Sequence, residues 1–452
     1  MKTGHDFDLL IRGANPHPAI GIAGGRIAAL AEGSAREEIA AGGLLVLPGV
    51  IDAHVHFNEP GRADWEGIAT GSRACAAGGT TTFFDMPLNS TPPVTDAAAF
   101  HAKRAVAERE SFVDFALWGG LVPGNPGHLE GLLDCGVIGL KAFMAHSGID
   151  DFQKADSATL RAGMQRAAEL GLLVAVHAEI DHPEMRRGTS IRDYLASRPI
   201  EIELEAIRIA IDLAGETRCA LHIVHVSSAR GVELVADARS RGVDVTCETC
   251  PHYLVLTEAD MERLGAVAKC APPLRSESER RELLKKVRAG NVTTIGSDHS
   301  PSPMGMKTDA DFFKIWGGIS GCQHVLSLLF DLSLPVQEIA ELTAANVADR
   351  FGLGSGDADT LVRTDMRLRT GVSASRVKGR IEPGMDADLV LIDPNARTTI
   401  ASGQLHYRHK HSPYVGRELR GRVMRTFLRG QTVFDGDAIV GRPSGRLLQR
   451  TA

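Results

Sequence analysis

The middle of this chain predicts an α/β fold, a TIM-like (β/α)8 barrel, because eight apolar, β-branched runs alternate there with Ala-, Arg- and Glu-rich stretches of helical character. The two ends predict a small β-sandwich domain that they build jointly, because short apolar runs broken by Gly and Pro recur before residue 48 and after residue 380. A length of 452 residues then divides into two domains, since one such barrel absorbs about 250 residues or more.

In chain order, the runs around Leu9, Ile20 and Ile27 read as the first short strands. Barrel strands are expected at 50–56, 80–86, 112–118, 137–143, 172–178, 220–226, 243–249 and 291–297. Asp388-Leu-Val-Leu-Ile392 and Val423-Met-Arg-Thr-Phe-Leu-Arg-Gly430 return to the β texture of the N-terminus. The expected domains are therefore 1–48 with 379–452, and 49–378. Residues 354–377, small and charged, read as an exposed insertion.

Composition narrows the partners. With 50 basic and 56 acidic side chains the net charge is −6, and no block of like charge stands out. This disfavours nucleic acid and anionic membranes and leaves a small molecule. His5, Asp6 and Asp8 fall where a signal peptide needs an apolar core, and no run of about 18 apolar residues occurs, so a soluble cytoplasmic protein is expected. Seven cysteines, an odd number spread along the chain, fit reduced thiols. Cys247-Glu-Thr-Cys250 lacks a second pair and is expected to be buried thiols.

In a (β/α)8 barrel the chemistry sits at the C-terminal ends of the strands. The first expected strand ends Asp52-Ala-His54-Val-His56, and alternation with period two turns both imidazoles to one side, where they can grip one metal. Two rings do not close a site and equally suit two solvent-facing histidines. The other strand ends answer this, bringing Lys141, His177, His225 and Asp298 to the same rim. Lys141 follows an apolar run, from which a lysine usually snorkels to solvent. Buried there, its amine would lose its proton and become free to react with carbon dioxide, giving a carbamate able to bridge two cations. His222, three residues before His225, is expected on the opposite side of its strand, as a structural histidine.

These stretches resemble the cyclic amidohydrolases, the group of dihydroorotase, dihydropyrimidinase (hydantoinase) and allantoinase. The resemblance runs over nearly the whole chain. It rests on Asp52-Ala-His-Val-His56, Gly78-Gly-Thr-Thr-Thr82, Asp85-Met-Pro87, Gly139-Leu-Lys141, Val176-His-Ala-Glu179, His225-Val-Ser-Ser228, Cys250-Pro-His-Tyr253, Pro272-Pro-Leu-Arg275, Ser297-Asp-His-Ser300 and Gly384-Met-Asp-Ala-Asp388. It implies two divalent metal ions held by His54, His56, carbamylated Lys141, His177, His225 and Asp298, with zinc expected first and cobalt, manganese or iron also compatible with such ligands. It further implies a homotetramer. Two metals about 3.5 to 4 Å apart lower the pKa of a bridging water towards neutrality. Asp298 is then the catalytic residue, carrying the proton to the leaving nitrogen.

Dihydroorotases of this kind place Arg two residues after the second His to hold a carboxylate; here Asn58 stands there, which disfavours an acidic substrate. Asn58-Glu-Pro-Gly-Arg62, Trp65-Glu-Gly67, Met86-Pro-Leu-Asn-Ser90, Trp316-Gly-Gly-Ile319 and Tyr407-Arg-His-Lys-His-Ser-Pro-Tyr414 resemble the allantoinases in particular. The implied reaction is opening of allantoin to allantoate in purine (ureide) catabolism. The implied substrate contacts are Asn89 and backbone groups around Ala271 and Gly318, though Asn89 reads equally as a turn former. A hydantoinase or dihydropyrimidinase is the enzymatic alternative. A non-catalytic scaffold relative is the distant one, weakened by the intact ligand positions. The 407–410 stretch, which also reads as a solvated basic segment, receives no role.

Overall fold

The computed structural model describes residues 5–353 and 378–450; the expected insertion at 354–377 lies outside them. Eight parallel barrel strands form at Val50–Val55, Thr80–Asp85, Asp114–Leu117, Leu140–Phe143, Val174–His177, Leu221–Ile223, Val245–Thr249 and Thr294–Ile295, each inside its expected window. Every residue in them is buried, because helices cover the outside of the barrel and side chains fill its inside. The third strand continues, after a break, into Gly119–Gly120, which pairs with Leu140 and Lys141. The ring closes between first and eighth strands by a bridge from Val55 to His299, with the His56 N–H donating to the His299 carbonyl at 2.8 Å.

Inside, Phe84, Trp118, Ala175 and Phe351 belong to one buried cluster. Phe351 stands edge-on to Phe84 and Trp118 at 5.3 and 5.4 Å, and the Trp118 indole N–H donates to the Ala53 carbonyl at 3.0 Å. The indole is buried with its polar atom satisfied.

Both chain ends build the second domain. Phe7–Arg12, Ala19–Ala23, Arg26–Ala29 and Ala35–Ala40 make one sheet; Leu45–Pro48, Leu389–Thr399, Glu418–Leu428, Gln431–Asp435 and Ala438–Ile439 make the other. Pro48 pairs with Leu389 and Leu45 with Ile392, so the strand leading into the barrel lies antiparallel to one that follows it. Leu9, Ile11 and Ile22 share a core with Val46, Leu389 and Phe427, which packs the sheets face to face. Buried Lys378 pairs with Asp114 (2.9 Å), Asp386 (3.3 Å) and Asp388, tying the third barrel strand to this domain. Residues near the C-terminus leave the sandwich and run beside that same strand, where Phe115 bridges Leu447.

All seven cysteines are free and buried, Cys247 and Cys250 included. Among the described residues no helix is long and apolar enough to cross a membrane.

Candidate metal centre

The two histidines at the end of the first strand point to one place. Their Nε2 atoms lie 3.3 Å (His54) and 3.4 Å (His56) from the same Asp298 oxygen, and one ligand atom from each of the three residues falls within 4.8 Å of the others. Asp298 has left the eighth strand with φ at 45°, and His225 has left the sixth with φ at 42°. Both are in the left-handed region, which residues other than glycine seldom adopt, and such conformations collect at sites where orientation matters.

His177 Nδ1 and His225 Nε2 face one another at 2.9 Å, while His177 Nε2 meets Glu179 at 2.9 Å. Burial opposes the charge on Glu179, but the Arg198 guanidinium, 2.6 Å away, and His177 overcome it and bring the pKa down to about 2. An ionised Glu179 accepts the proton of Nε2 and leaves the Nδ1 lone pair turned to His225. Glu248 does the same for His54, accepting from Nδ1 at 2.7 Å so that Nε2 faces Asp298 bare. Arg275 backs this arrangement, donating to the Arg198 carbonyl at 2.5 Å and to Ser227 at 2.8 Å, while Ser227 is held by Glu203.

Lys141 is wholly buried and its Nζ has no hydrogen-bond partner. Burial brings its pKa down to about 7 against the pull of Asp298 and Glu248. An unpartnered amine, a carboxylate and imidazoles with lone pairs turned inward form a donor set that fits divalent first-row cations.

On the substrate side, Asn58 and Asn89 are buried with φ of 65° and 69°. Asn58 donates to the Pro301 carbonyl at 3.4 Å; the Asn89 side-chain nitrogen lies 3.5 Å from His56 Nδ1, and the Asn89 backbone carbonyl accepts from Arg62. The Oδ1 atoms of both have no partner. Asn89 is thus a turn former and also a neighbour of the centre. Gly318 is anchored through its own backbone. Its N–H already donates to the Lys269 carbonyl (2.7 Å) and its carbonyl accepts from Lys307 (3.0 Å). A Cβ at Gly318 would stand 2.1 Å from the Ser300 carbonyl, so close approach of two loops requires the glycine. Ala271 sits between two anchored carbonyls, Cys270 taking the Tyr194 hydroxyl at 2.8 Å and Pro272 the Tyr253 hydroxyl at 2.7 Å.

His222 is in register with Ala175, which is in register with Lys141, so it shares their inner face. Counting back from His225 fails because the strand ends at Ile223 and the backbone turns before His225. His222 nonetheless stays structural, bonded to Thr246 at 2.7 Å and edge-on to Phe351. Sequence reasoning gave no role to Glu179, Glu248 or Arg198. A carboxylate inside the apolar run ending at Cys250, and another two residues after His177, were the available signals.

The pattern of the amidohydrolase family matches residues 45–355. An allantoinase of Rubrobacter xylanophilus is 54% identical over 98% of this chain and 98% of its own length. Allantoinases of Solibacter usitatus (49%; 96% and 93%) and Deinococcus radiodurans (46%; 98% and 99%) are similar over comparable spans. Among solved structures, an L-hydantoinase (dihydropyrimidinase) from Arthrobacter aurescens superimposes with a TM-score of 0.89 at 30% identity, covering 98% of this chain and all (100%) of the other. A D-hydantoinase from Thermus sp. gives 0.85 at 25% identity, covering 98% and 99%. A barrel with this rim, matched along its length in sequence and in structure, places the chain in the amidohydrolase family, among the allantoinases.

Proposed function

We propose that this chain hydrolyses the cyclic amide of allantoin to allantoate, in purine (ureide) catabolism, at two divalent cations. The observation that carries the substrate is the pair of buried amide oxygens, Asn58 Oδ1 and Asn89 Oδ1, left without donors beside the centre. Unpaired acceptors in a closed site favour a neutral ligand rich in N–H groups and reject one lacking them. The similarity to allantoinases along nearly the full chain supports the same reading.

In this reading His54, His56 and Asp298 would hold one cation and His177 and His225 the other, with carbamylated Lys141 completing the ligand set. Bound divalent cations supply an activated water at neutral pH and polarise the carbonyl under attack. Asp298 takes the proton of the attacking water and delivers it to the ring nitrogen that leaves. Glu248 and Glu179 keep the imidazoles in the tautomers that bind metal. Zinc is the metal we propose. Residues 49–378 carry the chemistry and 1–48 with 379–452 support it. We further propose a cytoplasmic homotetramer; the free buried thiols support the compartment, and the family resemblance the assembly.

The hydantoinase reading draws on the TM-score of 0.89 to the Arthrobacter enzyme, yet identity there is 30% against 54% to an allantoinase. The test is a panel of allantoin, hydantoin, dihydrouracil and dihydroorotate with metal-reconstituted protein. Allantoin should give the highest kcat/KM and dihydroorotate the lowest. A preference for hydantoin or dihydrouracil replaces this reading with the hydantoinase one, and failure to open any of the four restores the scaffold.

A further inference from the structure

The stretch from His406 to Ser412 takes no part in the chemistry above, yet it crosses the place where the barrel closes. It belongs to the connection between Leu389–Thr399 and Glu418–Leu428 of the β domain. On the side of the first strand, the Arg408 backbone N–H donates to the buried Glu66 carboxyl at 3.1 Å and its Nε to the Glu66 carbonyl at 2.7 Å; His409 meets the Asp64 carbonyl at 2.8 Å. On the side of the eighth, His411 meets the Ser302 carbonyl at 3.0 Å and Ser412 donates to the Ser320 carbonyl at 2.6 Å. Between them the Tyr407 ring lies 4.8 Å from that of His299, and its hydroxyl accepts the Gln323 N–H at 3.1 Å.

The seam under this stretch is thin. Leu140–Phe143 and Val174–His177 pair along their whole lengths, whereas the eighth strand has two residues and, among the described residues, meets the first beyond its own end, through one backbone bridge at His299 and the Ser297 N–H on the Asp52 carboxyl. Few backbone bonds mark the cheapest place for a fold to open. The flanks of this seam carry His54 and His56 on one side and Asp298 on the other, and beyond them Asn58 reaches across to the Pro301 carbonyl at 3.4 Å.

We propose that residues 406–412 form a strap from the β domain that holds the first and eighth barrel strands together. Arg408 is its positioning residue, fixing the loop of Asn58 against that of Pro301 and so the fit of the substrate. The strap touches Asp64, Glu66, His299, Ser302, Ser320 and Gln323, none of them a candidate metal ligand, so its loss reads in substrate binding before it reads in metal. The substrate named here rests on the allantoin reading; the strap itself does not.

The experiment compares Arg408→Met, Arg408→Lys and His411→Phe with the parent, measuring kinetics, bound metal and hydrogen exchange. Arg408→Met should raise KM for allantoin about tenfold with kcat within about threefold and both cations retained. Exchange should quicken in 50–68 and 294–302 but not in 174–223. Arg408→Lys, still able to donate to the Glu66 carbonyl, should recover most of KM. Should Arg408→Met not fold, His411→Phe decides: faster exchange in 294–302 with a raised KM supports the strap. An unchanged KM, or exchange that quickens evenly through the barrel, overturns it, as does loss of metal with a collapsed kcat. If another cyclic amide proves to be the substrate, the kinetics are read on that compound and the exchange data stand unaltered.

Discussion

Lys141 Nζ stands 4.1 Å above the centre of the Phe143 ring, and Phe143 lies stacked on His177 at 4.5 Å. The amine is thus shelved on an aromatic face beside an imidazole, buried and with nothing to donate to. A pKa of about 7 leaves a large share of it neutral at working pH, ready for carbon dioxide. Lys141→Ala should lose metal and turnover together, and short-chain carboxylic acids added with metal should restore part of both. An alanine variant with full metal content and full activity would remove the carbamate from the mechanism.

Asp298 sits within reach of both His54 and His56. Asp298→Asn should lower kcat by about 10² to 10⁴-fold, the usual worth of a general base, and by more if the metal site is also weakened. Its metal content should fall less than that of a His54→Ala, His56→Ala double variant. Near-normal turnover in Asp298→Asn leaves the proton shuttle without a residue.

Glu179 is a salt-bridged partner of His177, one bond removed from the centre. Glu179→Gln should cut the affinity of one cation about 10- to 100-fold, as loss of such outer partners commonly does, while the cation at His54, His56 and Asp298 stays bound. Titration with a chromogenic chelator separates the two; equal weakening of both would contradict the assignment.

His54, His56, Lys141, His177, His225 and Asp298 can be singled out in the sequence as a proposed ligand set because each falls at or near a strand end, where local alternation and the barrel rule act together. Their orienting partners cannot be. His54 and Glu248 are 194 residues apart, and Glu179 needs Arg198 from the next loop to hold its charge. For Gly318, only the folded chain reveals that its N–H goes to the Lys269 carbonyl and that Lys307 takes one of the two lone pairs of its own carbonyl. His222 was assigned the wrong face because the left-handed backbone at His225 breaks a count that holds only within a strand. Of the Arg62 and Trp65 stretch the sequence offered only a likeness; in space Trp65 stands edge-on to Trp316 at 4.9 Å, joining two loops of the rim.

Glu66 gives a pH prediction. Burial, eased in part by the Arg408 N–H, raises its pKa to about 8 from an ordinary 4.5. The folded chain therefore holds a proton that the unfolded chain has released between those values, and stability from this group is full below about 4.5 and lost as pH rises through about 8. Glu66→Gln should flatten the fall in Tm between pH 6 and pH 9. An unchanged slope would mean that Glu66 is not the group that takes up the proton.

The shared sheet also sets an order of assembly during synthesis. Leu45–Pro48 leaves the ribosome early, but the strand it pairs with begins at Leu389, and the residues spanning the barrel seam come later still. Chains generally fold in the order they emerge, so the barrel strands can pair while Leu45–Pro48, at the barrel's entrance, still waits for its partner strand. A nascent chain halted before Leu389 carries every candidate metal ligand yet lacks the sheet that anchors the barrel's entrance, which makes the interval before that strand emerges the time when chaperone protection matters most for this enzyme.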